Sequence, residues 1–393
     1  MQLDRPRQRH PHARPRHERR RGLCLDPQNR DEPEQKNRRR RSGACHCLGV
    51  AVMRTLPLSV GFMPLVDAAP LIIARELGFA EEEGLALNLQ SAPSWSTLRD
   101  RLILGQIEAA HMLSPVPVAM ALGLGGLPTQ LDALSVLSIN GNVIGISNAL
   151  ADEIAAQGDM PDFLDAQAAG KALATLNRPL RIGAPFPFSM HAELLHYWLS
   201  ASGLKVAQSL DLRTIPPLLM ADAIAAGEVD AFCVGEPWGS ITVEQGGGSL
   251  LLPGAAIWQF APEKVLAVRR DWASAEDDLT GRLMRAVWKA GRWLGREDKR
   301  ATASEILSWP EYLGVSTEIT ERALTGNLLI NARGKSRTVP RMMEFFDGAA
   351  SFPWKSQGAW IGARMAARFG LDRARSASKA AAVFRSDLYR RHL

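Results

Sequence analysis

The sequence is poor in cysteine and has no long apolar run. Three of its four cysteines, Cys24, Cys45 and Cys47, fall in the first 53 residues, which leaves Cys233 without a partner in the rest of the chain, so no disulfide framework is expected. No uncharged apolar run reaches the roughly eighteen residues of a membrane-spanning helix. The Cys45-His46-Cys47 segment resembles a metal knuckle only superficially, and no metal site is predicted.

Tyrosine is also scarce, with three residues, whereas leucine and alanine are abundant and 46% of the chain is hydrophobic. This composition favours helices packed on a buried, largely parallel sheet over an antiparallel β-sandwich. A chain of 393 residues is long enough for two domains of ordinary size. The predicted class is therefore α/β.

Positive charge is concentrated at the N-terminus. Residues 1–53 hold 14 of the 47 Lys and Arg and 6 of the 41 Asp and Glu, a net charge of +8, so residues 54–393 carry −2. This Arg-rich tail has almost no apolar residues and is predicted to be disordered, although the strand pattern after Met53 favours a translation start there. Residues 44–52 are too short an apolar segment for a secretory signal, so a cytoplasmic location and no membrane insertion are expected.

Two successive βαβαβ patterns follow the tail. In the first pattern, the strands fall at 56–62, 85–89 and 109–113. One helix at 68–77 lies between the first two strands, and a second helix, which begins after the N-cap Ser94, lies between the last two. In the second pattern, the strands and helices fall at 180–184, 190–202, 211–215, 218–226 and 229–234. Each pattern predicts a parallel sheet with right-handed crossovers.

Strand-like segments at 143–147 and 264–268 are predicted to carry the chain between the two sheets and back. The expected architecture is thus two doubly wound lobes joined by two crossover strands. Residues 54–140 would form the first part of lobe 1, residues 141–263 lobe 2, and residues 264–393 the return to lobe 1 with its C-terminal helices.

Seven short segments in order carry a resemblance to a known family. They are Gly61–Leu65 with Asp67–Pro70, Ser94-Trp95 with Arg99-Asp100, Ser114–Pro117, Asn140–Asn142, Phe186-Pro187 with Met190-His191, Gly235–Trp238, and Pro262–Lys264 with Arg270–Trp272. The chain resembles the nitrate/bicarbonate-binding branch of the type II periplasmic-binding-protein-like family. That branch includes binding lipoproteins of nitrate transporters and cytoplasmic NasS-type nitrate sensors, and the chain is most like the sensors. The resemblance covers about residues 54–370 and implies a two-lobe fold.

The resemblance implies that Trp95, Asn142, His191 and Lys264 bind the ligand. All four side chains can donate hydrogen bonds, and nitrate is a planar anion with acceptor oxygens only. His191 lies at a predicted helix start, where free backbone N–H groups favour anions. Three of these residues also have a structural alternative: Trp95 as a core residue, His191 as a structural histidine hydrogen-bonded within the fold, and Lys264 as an ordinary lysine at a strand edge. Asn142 has a shorter side chain than the Gln that related proteins can carry at this position.

Bicarbonate has an O–H group that needs an acceptor or a metal, so a site lined only by donors favours nitrate over bicarbonate. Glu236 and Trp238 are expected to shape the wall between the lobes, and His111 and His196 to be structural.

Three functions from different classes remain open. The first is a nitrate or nitrite sensor whose closure releases a partner, which the resemblance implies to be an ANTAR-type RNA-binding antiterminator. The second is the solute-binding component of a nitrate ABC transporter. The third is an enzyme like the thiamine-pyrimidine synthases, which share the fold. The sequence contains no Gly-rich phosphate loop, Gly-x-Ser-x-Gly or His-Glu-x-x-His motif, so no catalysis and no cofactor are predicted.

Overall fold

Two mixed β-sheets covered by helices organise the part of the chain that the computed structural model describes, residues 55–126, 128–176 and 178–393. The predicted tail and its Cys45-His46-Cys47 segment lie outside the described residues. The strands are β1 (Leu56–Phe62), β2 (Leu85–Ser91), β3 (Ala109–Leu113), β4 (Leu131–Asn140), β5 (Asn142–Ser147), β6 (Leu180–Ala184), β7 (Leu210–Thr214), β8 (Ala231–Gly235), β9 (Gly248–Pro253), β10 (Pro262–Arg269), β11 (Asn327–Leu329), β12 (Ser336–Thr338) and β13 (Met343–Glu344).

Helices connect most of these strands and form the C-terminal part of the chain. They are α1 (Ala69–Glu76), α2 (Phe79–Glu82), α3 (Trp95–Ile103), α4 (Pro115–Ala121), α5 (Asn148–Ala155), α6 (Ala166–Ala174), α7 (Met190–Ala201), α8 (Val206–Ser209), α9 (Met220–Ala225), α10 (Trp238–Glu244), α11 (Arg270–Ala275), α12 (Asp277–Leu294), α13 (Arg300–Leu307), α14 (Thr317–Thr325), α15 (Lys355–Phe369), α16 (Arg373–Val383) and α17 (Ser386–His392). Short 3₁₀ turns occupy Val66–Ala68, Pro217–Leu219, Gly254–Ala256 and Glu297–Lys299. Within the described ranges, no helix is both long enough and apolar enough to cross a bilayer.

Lobe 1 is built on the six-stranded sheet, with strand order β13-β4-β10-β3-β1-β2. β1 pairs in parallel with β2 and β3, as the first βαβαβ pattern predicts. β10 runs antiparallel between β3 and β4. All ten residues of β4 are buried, so this strand lacks the alternation of apolar and polar residues that identifies a half-exposed strand.

Lobe 2 is built on the five-stranded sheet, with order β7-β6-β8-β5-β9. β6 pairs in parallel with β7 and β8, whereas β5 is antiparallel to both β8 and β9. Each sheet therefore contains a parallel βαβαβ unit with one antiparallel strand inserted by a crossover, and the first sheet also has the antiparallel edge strand β13. The predicted α/β fold with two lobes is confirmed.

Asn140 hydrogen-bonds the two crossovers between the sheets to each other. Its Nδ2 donates to the Gln259 carbonyl at 2.8 Å and its Oδ1 accepts from the Ala261 N–H at 3.2 Å. Asn140 and Gly141 have φ values of 59° and 97°, a left-handed conformation that suits asparagine and glycine. A Cβ on Gly141 would lie 2.8 Å from Met343 Cε. The chain thus makes a tight, specific turn between β4 and β5.

The β11–β12 hairpin departs from the predicted layout of residues 264–393, which were expected to return to lobe 1. Leu328 and Ile330 share a core with Val143 and Phe232 of lobe 2. The Leu250 N–H on β9 donates to the Ile330 carbonyl at 2.8 Å. The edge strand of the second sheet is therefore partly covered by a segment that follows lobe 1 in the sequence.

Candidate ligand-binding site

The four residues expected to bind the ligand meet where the two sheets join. Trp95 begins α3, Asn142 begins β5, His191 is the second residue of α7 and Lys264 the third of β10. None is more than 1% exposed. Lys264 Nζ lies 5.4 Å from the centre of the Trp95 ring, close enough for a cation–π contact. The structure brings all four together, and their role as ligand contacts stays a prediction.

Serine N-caps fix the two helix starts that carry Trp95 and His191. Ser94 and Ser189 have extended backbones, and each hydroxyl accepts from the backbone N–H three residues along, at 3.2 Å and 3.1 Å. Such caps satisfy part of the free N–H groups of a first turn and set where the helix begins. The Ser94 cap was predicted. Both caps fix helix starts that lie at the lobe junction.

Two buried carboxylates, Asp67 and Glu263, lie among the expected donors. Lys264 Nζ is 2.7 Å from Asp67 Oδ2 and 3.1 Å from Glu263 Oε1. Asn142 Nδ2 donates to Glu263 Oε2 at 2.8 Å. The expectation of a site lined only by donors is therefore wrong. Both carboxylates lie in segments that carry the family resemblance. The sequence feature that could have revealed an acceptor in the site was the acidic residue Glu263 directly before Lys264.

His111 belongs to this cluster as well, although it was expected only to be structural. The Met63 N–H donates to His111 Nδ1 at 3.4 Å, so the ring proton lies on Nε2, 2.9 Å from Asp67 Oδ1. Its ring centre is 5.7 Å from that of Trp95. Burial lowers the pKa of His111 more than Asp67 raises it, so the ring stays neutral.

The pKa values of Asp67 and Lys264 keep this pair charged. Burial alone would raise the pKa of Asp67, but Lys264 and His111 lower it to about 2. Burial alone would lower the pKa of Lys264, yet the carboxylates of Asp67 and Glu263 hold it above its ordinary value. A fully buried pair of this kind requires the mutual contact, because either charge alone would be strongly destabilising.

Glu263 and His191 behave differently from that pair. Burial raises the pKa of Glu263 to about 7, and Lys264 only partly offsets this rise. Burial, with a further contribution from Lys264, lowers the pKa of His191 well below its ordinary value. Near neutral pH, His191 is therefore a neutral imidazole and Glu263 is close to its titration midpoint.

Three polar nitrogens at the junction lack a hydrogen-bond partner among the described residues: Trp95 Nε1 and both ring nitrogens of His191, one of which carries the proton of the neutral ring. His191 Nδ1 lies 3.1 Å from Glu263 Oε1, but the two atoms are not aligned as a hydrogen bond. Unpaired buried N–H groups are costly and rare in proteins. An anion with acceptor oxygens would satisfy these groups.

Glu236 and Trp238 line the contact between the lobes, as expected from the sequence. Trp238 Nε1 donates to the Pro64 carbonyl at 2.8 Å, and the Val66 N–H donates to the Glu236 carbonyl at 3.0 Å. Burial raises the pKa of the Glu236 side chain to about 7. In the part of the chain that the structure describes, no three His, Cys, Asp or Glu residues are grouped to hold a metal ion.

Two lobes on mixed sheets, two crossovers and a buried polar cluster at the junction define a two-lobe solute-binding-protein fold. The NMT1-like family matches residues 54–308, and the chain belongs to that family. The chain is 32% identical over 315 residues to the nitrate/nitrite binding protein NrtA of Nostoc sp., covering 79% of this chain and 70% of that protein.

Two further comparisons agree with this class. The chain is 30% identical over 333 residues to the nitrate import ATP-binding protein NrtC of Synechocystis sp., covering 83% of this chain but only 49% of NrtC, about half its length. The crystal structure of the periplasmic nitrate-binding protein NrtA from Synechocystis PCC 6803 superposes with a TM-score of 0.77 at 29% identity, covering 86% of this chain and 88% of that one. The names of the two NrtA proteins describe nitrate or nitrite binding, so the chain is similar to solute-binding proteins.

Proposed function

We propose that this protein binds nitrate or nitrite at the lobe junction without transforming it. The observation that carries the proposal is the convergence of the Lys264 ammonium with unpaired N–H groups of Trp95 and His191 in a fully buried cluster. A planar monoanion with acceptor oxygens matches the ammonium, imidazole and indole donors. The similarity to proteins named for nitrate and nitrite binding supports this choice of anion.

We further propose that binding is signalled to a partner protein, so that the chain acts as a cytoplasmic sensor in nitrate assimilation. Closure of two lobes on a ligand changes the surfaces that both lobes expose, and a partner that prefers the open form is then released. The partner is an RNA-binding antiterminator of the ANTAR type. With a net charge of −2, residues 54–393 have no basic surplus for gripping RNA, so we assign nucleic-acid contact to the partner.

The alternative is the solute-binding component of a nitrate ABC transporter. It is favoured by the similarity to the periplasmic NrtA, which extends over 86% of this chain. Both functions use the same anion site and differ in what detects closure: a soluble regulator in one, a membrane permease in the other. The partner, and not the ligand, therefore separates them.

The ligand is tested by calorimetric titration with nitrate, nitrite and bicarbonate, the last with and without calcium. Nitrate or nitrite is expected to bind, and Lys264→Ala and His191→Ala are each expected to weaken binding at least about tenfold, because each removes a charge-assisted or buried hydrogen bond. His196→Ala, on the same helix α7, is the matched control and should bind as the parent does. Preference for bicarbonate, or unchanged affinity in folded Lys264 and His191 variants, would contradict the proposal.

The partner is tested by affinity capture with the full chain from cell extract, with and without millimolar nitrate. Recovery of a response-regulator-like RNA-binding protein only without nitrate is the expected result. Recovery of a membrane permease would favour the transporter component instead. RNA binding by the chain itself, with an affinity that does not change when nitrate is added, would contradict the assignment of RNA contact to the partner.

A further inference from the structure

A single carboxylate holds three of the four residues expected to bind the anion. Glu263 Oε2 accepts from Asn142 Nδ2 at 2.8 Å, while Oε1 lies 3.1 Å from both Lys264 Nζ and His191 Nδ1. Glu263 is completely buried, so no solvent competes for these contacts. Its oxygens therefore occupy the Asn142 and Lys264 donors that an incoming anion needs, and a negative charge on Glu263 lies beside His191.

The net charge of the cluster depends on the protonation of Glu263. The titratable groups around it are Lys264 on β10, Asp67 on the first 3₁₀ turn, His191 on α7 and Cys233 on β8, and His111 on β3 pairs with Asp67. Lys264 and Asp67 keep opposite charges, since the pKa of the lysine is raised and that of the carboxyl is about 2. Burial lowers both histidine pKa values and raises that of the thiol, so these groups stay neutral.

We propose that the site takes up its anion together with one proton, and that Glu263 holds this proton as a carboxylic acid. The inference rests on the proposed anion-binding function and deepens it. With Glu263 ionised, the buried cluster already carries one net negative charge, and a monoanion would add a second without compensation. A proton taken from solvent by Glu263 leaves the net charge unchanged when the anion binds, which avoids this cost.

Protonation also changes the hydrogen bonds around the anion. A carboxylic acid keeps a carbonyl oxygen to accept from Asn142, and its O–H becomes a donor. Lys264 and His191 are then released from an ionised competitor. The proton therefore converts a mixed lining into one dominated by donors, which suits monoanions that have no O–H group of their own.

The test is nitrate titration of the full chain by calorimetry from about pH 6 to pH 9, in two buffers of different ionisation enthalpy, which counts protons taken up with the anion. In the parent protein we expect one proton per nitrate at alkaline pH and an affinity that falls about tenfold per pH unit above the pKa of Glu263, which is about 7. In Glu263→Gln, which is isosteric and always neutral, both effects should disappear.

Glu236→Gln is the matched control, because Glu236 is equally buried with a pKa of about 7 but, among the described residues, its side chain makes no hydrogen bond or ion pair with any of the four residues. It should keep the proton uptake of the parent. Uptake of no proton by the parent, which needs no variant to measure, would overturn the inference while leaving nitrate binding intact. Proton uptake that persists in Glu263→Gln, or is lost in Glu236→Gln, would overturn it too.

Nitrite and formate, planar monoanions without an O–H group, separate this inference from the choice of ligand. If nitrate and nitrite fail to bind but formate binds with a proton that Glu263→Gln abolishes, the proposed ligand is wrong and the proton coupling stands. If none of the three anions binds at any pH, both the proposed function and the coupling fall.

Discussion

Glu236 and Glu263 are buried carboxyls with similar pKa values, but their neighbouring residues give their titration different consequences. Both are completely buried, and burial raises the pKa of each to about 7. Glu263 contacts Lys264, His191 and Asn142, so its titration is linked to the candidate site. Among the described residues, Glu236 forms no ion pair with a cation; its Oε2 accepts from the Ser240 N–H at 3.2 Å, and its Oε1 has no partner there.

The ionisation of Glu236 should therefore cost stability. Its folded pKa of about 7 lies above the ordinary 4.5, so its contribution is fully present below pH 4.5 and is lost as the pH rises through 7. Glu236→Gln removes the ionisation and keeps an acceptor for Ser240. We expect the free energy of unfolding to match that of the parent at low pH and to exceed it by about 3 kcal/mol well above pH 7.

Urea unfolding of both proteins across this pH range measures the difference. The same gap at every pH would mean that the side chain affects packing and not proton balance.

At the scale of the element, α7 combines the candidate site with the contact between the lobes. His191 in its first turn reaches the junction, and Glu193, also buried, pairs with Arg368 on α15. Met190 and Leu194 share a core with lobe 1 residues. The position at which α7 begins therefore sets the placement of His191, and the Ser189 cap fixes that position.

Ser189→Ala should cost about 1 kcal/mol of stability, typical for loss of an N-cap, and should also weaken anion binding severalfold because His191 loses its fixed position. Ser316→Ala is the matched control, since Ser316 caps α14 in the same way and α14 carries none of the four candidate ligand residues. It should lower the unfolding midpoint by a similar amount and leave binding unchanged. Equal binding by both variants would show that the cap does not position His191.

At the scale of the whole molecule, the two lobes are held together on one side by a clasp between α7 and α15. The clasp consists of the Glu193–Arg368 ion pair and the Tyr197–Trp360 contact, whose ring centres are 5.9 Å apart. Arg364 covers the Tyr197 ring at 5.2 Å. Because Glu193 is fully buried, it depends on Arg368 for a counter-charge. The clasp thus stabilises the arrangement in which the site is closed to solvent.

Arg368→Gln should shift the lobes towards an open arrangement. We expect a larger radius of gyration by small-angle X-ray scattering without anion, and weaker anion binding, because part of the binding free energy must then close the lobes. Arg391→Gln is the control: it removes an exposed pair with Asp277 and should change neither quantity. A lower unfolding temperature with unchanged scattering and affinity would mean that the clasp adds stability without governing closure.

Much of this organisation follows from local sequence. The strands β1 and β3 were predicted with their observed bounds, and the start of α3 from its cap, because short-range periodicity and capping report directly on backbone structure. β4 gave no such signal, since a strand buried on both faces has no alternation. The four candidate ligand residues came from the family resemblance and not from periodicity, and the structure places them together.

The charge balance of the site and the contacts between the lobes depend on residues that are far apart in the sequence, so they are set only when the chain folds. Local sequence is sufficient to predict an α/β chain of two βαβαβ units, because each unit is encoded by residues that are near one another, and the family resemblance adds the expectation of an anion site. Only the fold brought Asp67 and Glu263, which are 196 positions apart, onto the same Lys264 ammonium. Burial and the distances between charges set their pKa values, and neither quantity exists until the two sheets have met.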